Sequence, residues 1–274
     1  MKKHSPIGIF DSGYGGLTVM KEIVELLPEY DYIYLGDNAR TPYGTRSYAN
    51  VHEFTLEGIH YLFNQGCPLV ILACNTASAK ALRTIQQRDL PLLAPENRVL
   101  GVVRPTTEVL GYMSNAKSVG VFATKGTVDS QSYVIELEKF FPDLKVTQES
   151  CPMWVPLIEN GELDGDGVEY FVKAHIRRLL QKDDQIDTIL LGCTHYPLLG
   201  PIIQSHLPAN VSIVNQGQIV ANSLADYLGR HTEMDKRLTR GGHRHFCTTD
   251  NPDLFSERGG LFYGKEIEAE LVEL

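Results

Sequence analysis

The chain predicts an α/β protein of two pseudo-symmetric, three-layer lobes with mostly parallel sheets and an active site in the cleft between them. Three observations carry this expectation. Short β-type apolar runs alternate with longer helix-type segments, the rhythm of parallel strands joined by crossover helices. Ile7-Gly8-Ile9-Phe10-Asp11-Ser12 is echoed by Val119-Gly120-Val121-Phe122-Ala123-Thr124, in the manner of a duplicated unit. Two cysteines, in Val70-Ile71-Leu72-Ala73-Cys74-Asn75-Thr76 and Ile189-Leu190-Leu191-Gly192-Cys193-Thr194-His195, each follow an apolar run directly. Open α/β sheets bind ligands outside the carboxyl ends of their strands. Two thiols there point to two acid/base or nucleophilic groups facing one substrate.

The first run, Ile7–Phe10, reads as a strand that turns through Asp11-Ser12-Gly13-Tyr14-Gly15-Gly16 into a helix at Leu17–Leu27. Strand Tyr32–Leu35 follows, then the turn Thr41-Pro42-Tyr43-Gly44 and helix Tyr48–Asn64. Strand Leu69–Ala73 delivers Cys74, and helix Ala77–Gln86 comes next. The prolines of Asp89-Leu90-Pro91-Leu92-Leu93-Ala94-Pro95 disfavour helix and mark a connection between lobes. The second unit runs through strands Val99–Val103, Val119–Phe122, Lys145–Gln148 and Thr188–Leu191. Helices Pro105–Met113, Ser130–Phe140, Gly167–Leu180 and Pro201–His206 sit among them. Strand Ser212–Val214, helix Ile219–Tyr227 and strand His245–Thr248 lie after the second repeat and are expected back in the first lobe. The first lobe is therefore expected from residues 1–98 and 212–274, and the second from 99–211.

Composition narrows the function classes. The chain has 274 residues, 43% of them hydrophobic, which is ample for a packed core. Net charge is −9 and no basic cluster stands out, so nucleic acid is not an expected ligand. Met1-Lys2-Lys3-His4-Ser5-Pro6 leads into too few apolar residues for a signal-peptide core, and no run approaches a membrane span. Five cysteines without a secretion signal fit reduced thiols in the cytoplasm.

Each polar residue near a strand end has a chemical and a structural reading. The glycines at 13, 15 and 16 do not make a dinucleotide loop, but their exposed amides at a helix start suit a carboxylate or other small anion. Asp11 is either a helix N-cap or a partner for an ammonium group or a proton-transfer residue. Thr124 and Thr127 bracket Gly126 and suit capping or carboxylate binding. His195, two residues past Cys193, is close enough in sequence to bring an imidazole to the thiol and raise its reactivity. Glu159 is a candidate carboxylate to orient that imidazole, although most Glu residues are solvated. His243, His245 and Cys247 share a strand face and are zinc ligand types. They lack a fourth ligand and a paired C-x-x-C, so a half-buried strand is the preferred reading and no metal is expected. Cys67 and Cys151 lack a polar strand-end context and are read as structural.

Together the blocks Asp-Ser-Gly-x-Gly-Gly-Leu-Thr-Val at 11–19, Gly-Asp-x-x-x-x-Pro-Tyr-Gly at 36–44, Ala-Cys-Asn-Thr-Ala-Ser at 73–78 and Gly-Cys-Thr-His-Tyr-Pro at 192–197 resemble the aspartate/glutamate racemase family, glutamate racemase in particular. The resemblance covers nearly the whole chain. It departs at Tyr14, where a small apolar residue is more usual, and at Val103–Thr107, where a Pro-Gly pair is more usual. The resemblance implies a cofactor-independent isomerase that interconverts L- and D-glutamate and supplies D-glutamate to peptidoglycan. It implies Cys74 and Cys193 as the acid/base pair, with Asp11 assisting the first and His195 with Glu159 assisting the second. It implies Asp11, Ser12, Pro42, Tyr43, Gly44, Asn75, Thr76, Thr124, Thr127, Thr194 and His195 as substrate-binding residues. The implied partner is a small-molecule substrate, with a homodimer allowed and no membrane or nucleic-acid partner. A racemase for aspartate or another amino acid, and a non-catalytic amino-acid-binding protein, are the competing readings.

Overall fold

A computed structural model describes residues 5–115 and 117–274; Met1 to His4 of the leading segment lie outside the described residues. Among the described residues, ten strands form two sheets. The first contains β1 (Ile7–Asp11), β2 (Tyr32–Gly36), β3 (Leu69–Leu72), β4 (Arg98–Gly101), β9 (Arg244–Thr248) and β10 (Ala269–Leu271). The second contains β5 (Ser118–Ala123), β6 (Lys145–Ser150), β7 (Thr188–Gly192) and β8 (Ser212–Val214). Strand order is β10-β9-β2-β1-β3-β4 in one and β6-β5-β7-β8 in the other, and every pair described is parallel. Every residue of β1, β2, β3, β5 and β7 is buried, as parallel strands covered on both faces require.

The order β2-β1-β3-β4 recurs as β6-β5-β7-β8. The duplication expected from two short matches therefore extends over four strands. It also corrects two strand placements. Arg98–Gly101 pairs with β3, in register Leu69↔Arg98 to Leu72↔Gly101, so it is the fourth strand of the first sheet and not the start of the second lobe. Ser212–Val214 pairs with β7 and is the fourth strand of the second sheet, so the chain rejoins the first sheet only at β9. Each unit closes with its own edge strand because a short crossover returns the chain beside the strand it has just left.

Helix boundaries differ from expectation where proline misled. Leu90–Leu93 is helical and continues from the segment beginning at Asn75, because Pro91 falls in the first turn, where its missing N–H costs nothing. The segment leads to β4 and so does not join lobes. Helices Trp154–Glu159 and Pro252–Tyr263 and strand β10 were not anticipated. The first contains Pro156, the second contains a Gly-Gly pair, and β10 carries a Glu between two apolar residues. Tertiary packing decides these segments: Trp154 is fully buried against Phe122 and Tyr196, at ring separations of 5.0 and 4.8 Å.

One apolar cluster runs across the seam between the sheets and includes Leu17, Ile23, Leu191, Leu224 and Phe262. Helices Leu17–Leu26 and Gln216–Arg230 pack together there. Gln216 adds a polar tie: its Nε2 donates to Thr106 Oγ1 (2.9 Å) and Tyr133 Oη (2.7 Å), and Tyr133 donates in turn to Asn75 Oδ1 (2.5 Å). This chain is buried, so breaking it would leave polar groups without water or partner. Among the described residues no helix is long and apolar enough to cross a membrane.

Gly58 tests how tightly the long helix Tyr48–Asn64 seats on β1. A Cβ there would lie 2.3 Å from Cε2 of the fully buried Phe10. Gly58→Ala gains about 1 kcal/mol of helix propensity, but overpacking costs about 1–3 kcal/mol. The variant should melt below wild type by thermal circular dichroism. A raised melting temperature would mean that the helix shifts freely off the strand.

Candidate active site

The carboxyl ends of both sheets meet at one cavity of about 110 Å³. Ser12 follows β1, Cys74 follows β3, Thr124 follows β5, Cys151 follows β6, and Cys193 follows β7; all five line it. Pro42, Tyr43, Gly44, Asn75, Thr76, Thr194 and His195 complete the set anticipated from sequence. Asp11, Thr127 and Glu159 stand behind the lining and act on it through hydrogen bonds.

Cys74 and Cys193 occupy equivalent positions in the two units, yet their surroundings differ. Cys74 caps the helix Asn75–Lys80, with its Sγ accepting from the Ala77 N–H (3.4 Å) and donating to Ser12 Oγ (3.6 Å). Burial, reinforced by the neighbouring Asp11 carboxylate, pushes this thiol up to about 12. Cys193 instead faces an imidazole, with Sγ 3.9 Å from His195 Nδ1. His195 Nε2 donates to Glu159 Oε1 at 3.0 Å. Burial alone would lower the His195 pKa, but the hydrogen bonds to Cys193 and Glu159 outweigh it and raise the ring to about 10. The duplicated scaffold thus supplies one thiol beside an acid and one beside a base.

Asp11 is fully buried, and its pKa is raised by that burial. Its Oδ1 accepts from the Gly13 N–H (2.9 Å) and its Oδ2 from Thr194 Oγ1 (3.4 Å). This corrects the reading of the glycine turn as an anion site, because the Gly13 and Gly16 amides are already taken by the Asp11 carboxylate. The turn serves close approach instead. A Cβ on Gly15 would lie 2.3 Å from Thr194 Oγ1 and 2.4 Å from His195 Nδ1.

Thr76, Thr124 and Thr127 share hydroxyl hydrogen bonds of 3.0 to 3.5 Å. Asn75 Nδ2 is buried with no hydrogen-bond partner among the described residues, although its Oδ1 is held by Tyr133. A buried amide donor left open on a cavity wall is suited to an acceptor on a bound molecule.

Several residues escaped sequence reading. Cys151 was read as structural, yet it lines the cavity. Its strand extends to Ser150, two residues beyond the expected end, so Cys151 obeys the same strand-end rule as the other two thiols. Thr41, Lys125, Val155 and Pro156 also line the site. Phe262, from the unanticipated helix Pro252–Tyr263, packs edge-on to His195 at 5.3 Å and stacks on Tyr14, which stacks on Phe255. Cys74 and Cys193 are only 5% and 6% exposed, so both thiols sit deep in the cleft. Of the zinc-type trio, His245 and Cys247 lie together on β9, but His243 precedes the strand, and Glu270 of β10 stands in its place.

The Asp/Glu/Hydantoin racemase family profile matches residues 7–224. The chain belongs to this family. It is 39% identical to a glutamate racemase of Dinoroseobacter shibae, over 97% of this chain and 98% of that one. A crystal structure of a glutamate racemase isoform from Bacillus anthracis superposes with a TM-score of 0.89 at 34% identity, covering 99% of this chain and 98% of that chain. Glutamate racemase from Francisella tularensis in complex with D-glutamate gives 0.87 at 32% identity, with the same coverage. The racemase family thus carries this two-sheet fold, and both cysteine motifs fall within the matched residues.

The Glu159–His195 pair makes a pH-dependent prediction. The His195 pKa rises from 6.5 to about 10 on folding, so its stabilisation is complete below 6.5 and is lost as pH climbs through 10. Glu159→Gln removes the charge that holds the imidazolium. The stability advantage of wild type over the variant, from urea unfolding, should be largest near neutral pH and shrink toward pH 10. The His195 ring should titrate lower in the variant by NMR. A constant advantage across that range would remove the charged pair from the account.

Proposed function

We propose that this protein is a cofactor-independent glutamate racemase that uses Cys74 and Cys193 as its two proton-transfer groups. One observation carries the reading: thiols at equivalent strand ends of two duplicated units line a single cavity, each with a different proton partner. Inverting a carbon requires removing its proton from one face and returning one to the other. Duplicated units facing each other are suited to placing a group on each side. In each turnover one cysteine thiolate takes the Cα proton while the opposite thiol gives its own, so the two exchange protonation states. By family resemblance Cys74 takes the proton from D-glutamate and Cys193 from L-glutamate.

The surroundings fit that division. His195, held by Glu159, can accept or return the Cys193 proton through the 3.9 Å contact. Asp11 is the corresponding group beside Cys74. Asn75 Nδ2 and the hydroxyls of Thr76, Thr124 and Thr194 are the donors for substrate carboxylates. Burial of both thiols lowers the local dielectric, which strengthens each of these contacts at the moment that carbanionic charge develops. The product on this reading is D-glutamate for peptidoglycan, made in the cytoplasm. A homodimer belongs to the reading through the family, and light scattering in solution tests it.

Cys74→Ser and Cys193→Ser should each stay folded and lose racemisation by on the order of 10²–10⁴-fold, followed by circular dichroism on glutamate. Wild-type enzyme in D₂O should place deuterium in the product enantiomer, with far less in recovered substrate at early times. Equal early labelling of both would indicate one base serving both faces and would sink the two-thiol assignment. Racemisation of aspartate in preference to glutamate would favour the other specificity on the same fold.

Enzyme dialysed against chelator and free of pyridoxal absorbance should retain its full rate. Loss of activity on chelation, with recovery on adding zinc, would contradict the cofactor-free reading.

A further inference from the structure

Outside the cavity, one further cluster brings three metal-ligand types together. His245 and Cys247 are two apart on β9 and so share a face. The β9–β10 register sets Glu270 directly beside Cys247, which puts its carboxylate on that face too. His245 Nε2 lies 2.8 Å from Glu270 Oε1, and Cys247 Sγ lies 4.0 Å from the same oxygen. All three donor atoms fall within 4.8 Å of one another. Tyr61 Oη, from the helix Tyr48–Asn64, donates to Cys247 Sγ at 3.8 Å.

We propose that His245, Cys247 and Glu270 form a binding site for a zinc-class divalent cation that pins the last strand to the first sheet. The geometry is close to that of a tetrahedral centre. Zinc bond lengths of about 2.1 Å to N and O and about 2.3 Å to S place the N–O and S–O edges near ~3.4 and ~3.6 Å. The observed N–O and S–O separations of 2.8 and 4.0 Å need shifts of well under 1 Å, and the His245 N to Cys247 S separation, within 4.8 Å, closes by about 1 Å through rotation of the half-exposed His245 ring. His245 and Glu270 are about half exposed and open an entry path, while Cys247 is buried and supplies a shielded sulfur. The mixed N, S, O set suits zinc over calcium or magnesium, which take oxygen ligands. On binding, Cys247 loses its thiol proton to solvent and the sulfur bonds to the metal as thiolate. The Tyr61 hydroxyl then serves as a hydrogen-bond donor to that thiolate. A fourth position is left for water. The site staples β10, a three-residue edge strand, to β9 and takes no part in the chemistry at Cys74 and Cys193.

The test uses the full chain with Cys74→Ser, Cys151→Ser and Cys193→Ser, so that the three cavity thiols cannot bind metal. Cobalt titration should give one equivalent with a near-ultraviolet thiolate-to-metal band that zinc removes, and zinc should raise the melting temperature. Adding Cys247→Ser should abolish the band. Adding His245→Ala or Glu270→Gln, both on the exposed side, should weaken zinc binding at least tenfold even if the Cys247 variant folds poorly. A cobalt spectrum without the thiolate band, or zinc affinity unchanged by His245→Ala and Glu270→Gln, would overturn the site.

Discussion

Parallel pairing is the constraint on which the rest of this molecule depends. When every strand of a sheet runs the same way, every carboxyl end arrives at one edge, and the loops that follow must share that edge. Two such sheets, with the order β2-β1-β3-β4 repeated as β6-β5-β7-β8, have only to face each other to bring five strand-end residues onto one cavity. The apolar seam and the Gln216–Tyr133–Asn75 hydrogen bonds hold them in that relation. The same seam reaches the chemistry, because Asn75 is both its last member and a wall of the site.

Duplication supplies two equivalent thiols, and a few substitutions then make them unequal. Asp11 and Ala123 occupy matched positions at the ends of β1 and β5, as do Thr76 and His195 after the two cysteines. The first unit therefore surrounds its thiol with a carboxylate, and the second surrounds its thiol with an imidazole tied to Glu159. A symmetric site would treat both enantiomers through the same chemistry. On the proposed reading, this one handles them through different proton partners, which is the form of asymmetry a reversible reaction between mirror-image substrates tolerates.

Support for His195 comes from unusually far along the chain. Phe262, Tyr14 and Phe255 form an aromatic stack beneath it, and Gly15 clears the space its ring occupies. The tail helix Pro252–Tyr263 is thus continuous with the active site on one side. It also leads into β10 and the His245–Cys247–Glu270 cluster on the other. The C-terminal helix thus links the packing around the imidazole to the edge of the first sheet.

The sequence by itself determined what is local or periodic. Apolar runs fixed the central strands, and the strand-end rule placed Cys74 and Cys193. Short motifs brought together Ser12, Pro42, Tyr43, Gly44, Asn75, Thr76, Thr124, Thr194 and His195, all of which line the cavity. Tertiary structure decided what depends on partners distant in the chain. Sheet membership of β4 and β8 rests on registers that no local pattern encodes. Glu159 could be paired with His195 only once Trp154–Glu159 had folded as a helix against Phe122 and Tyr196. Glu270 could replace His243 beside Cys247 only because an edge strand returns in register from 23 residues away. Burial of the two thiols is likewise a property of two surfaces meeting, and it cannot be read from either surface alone.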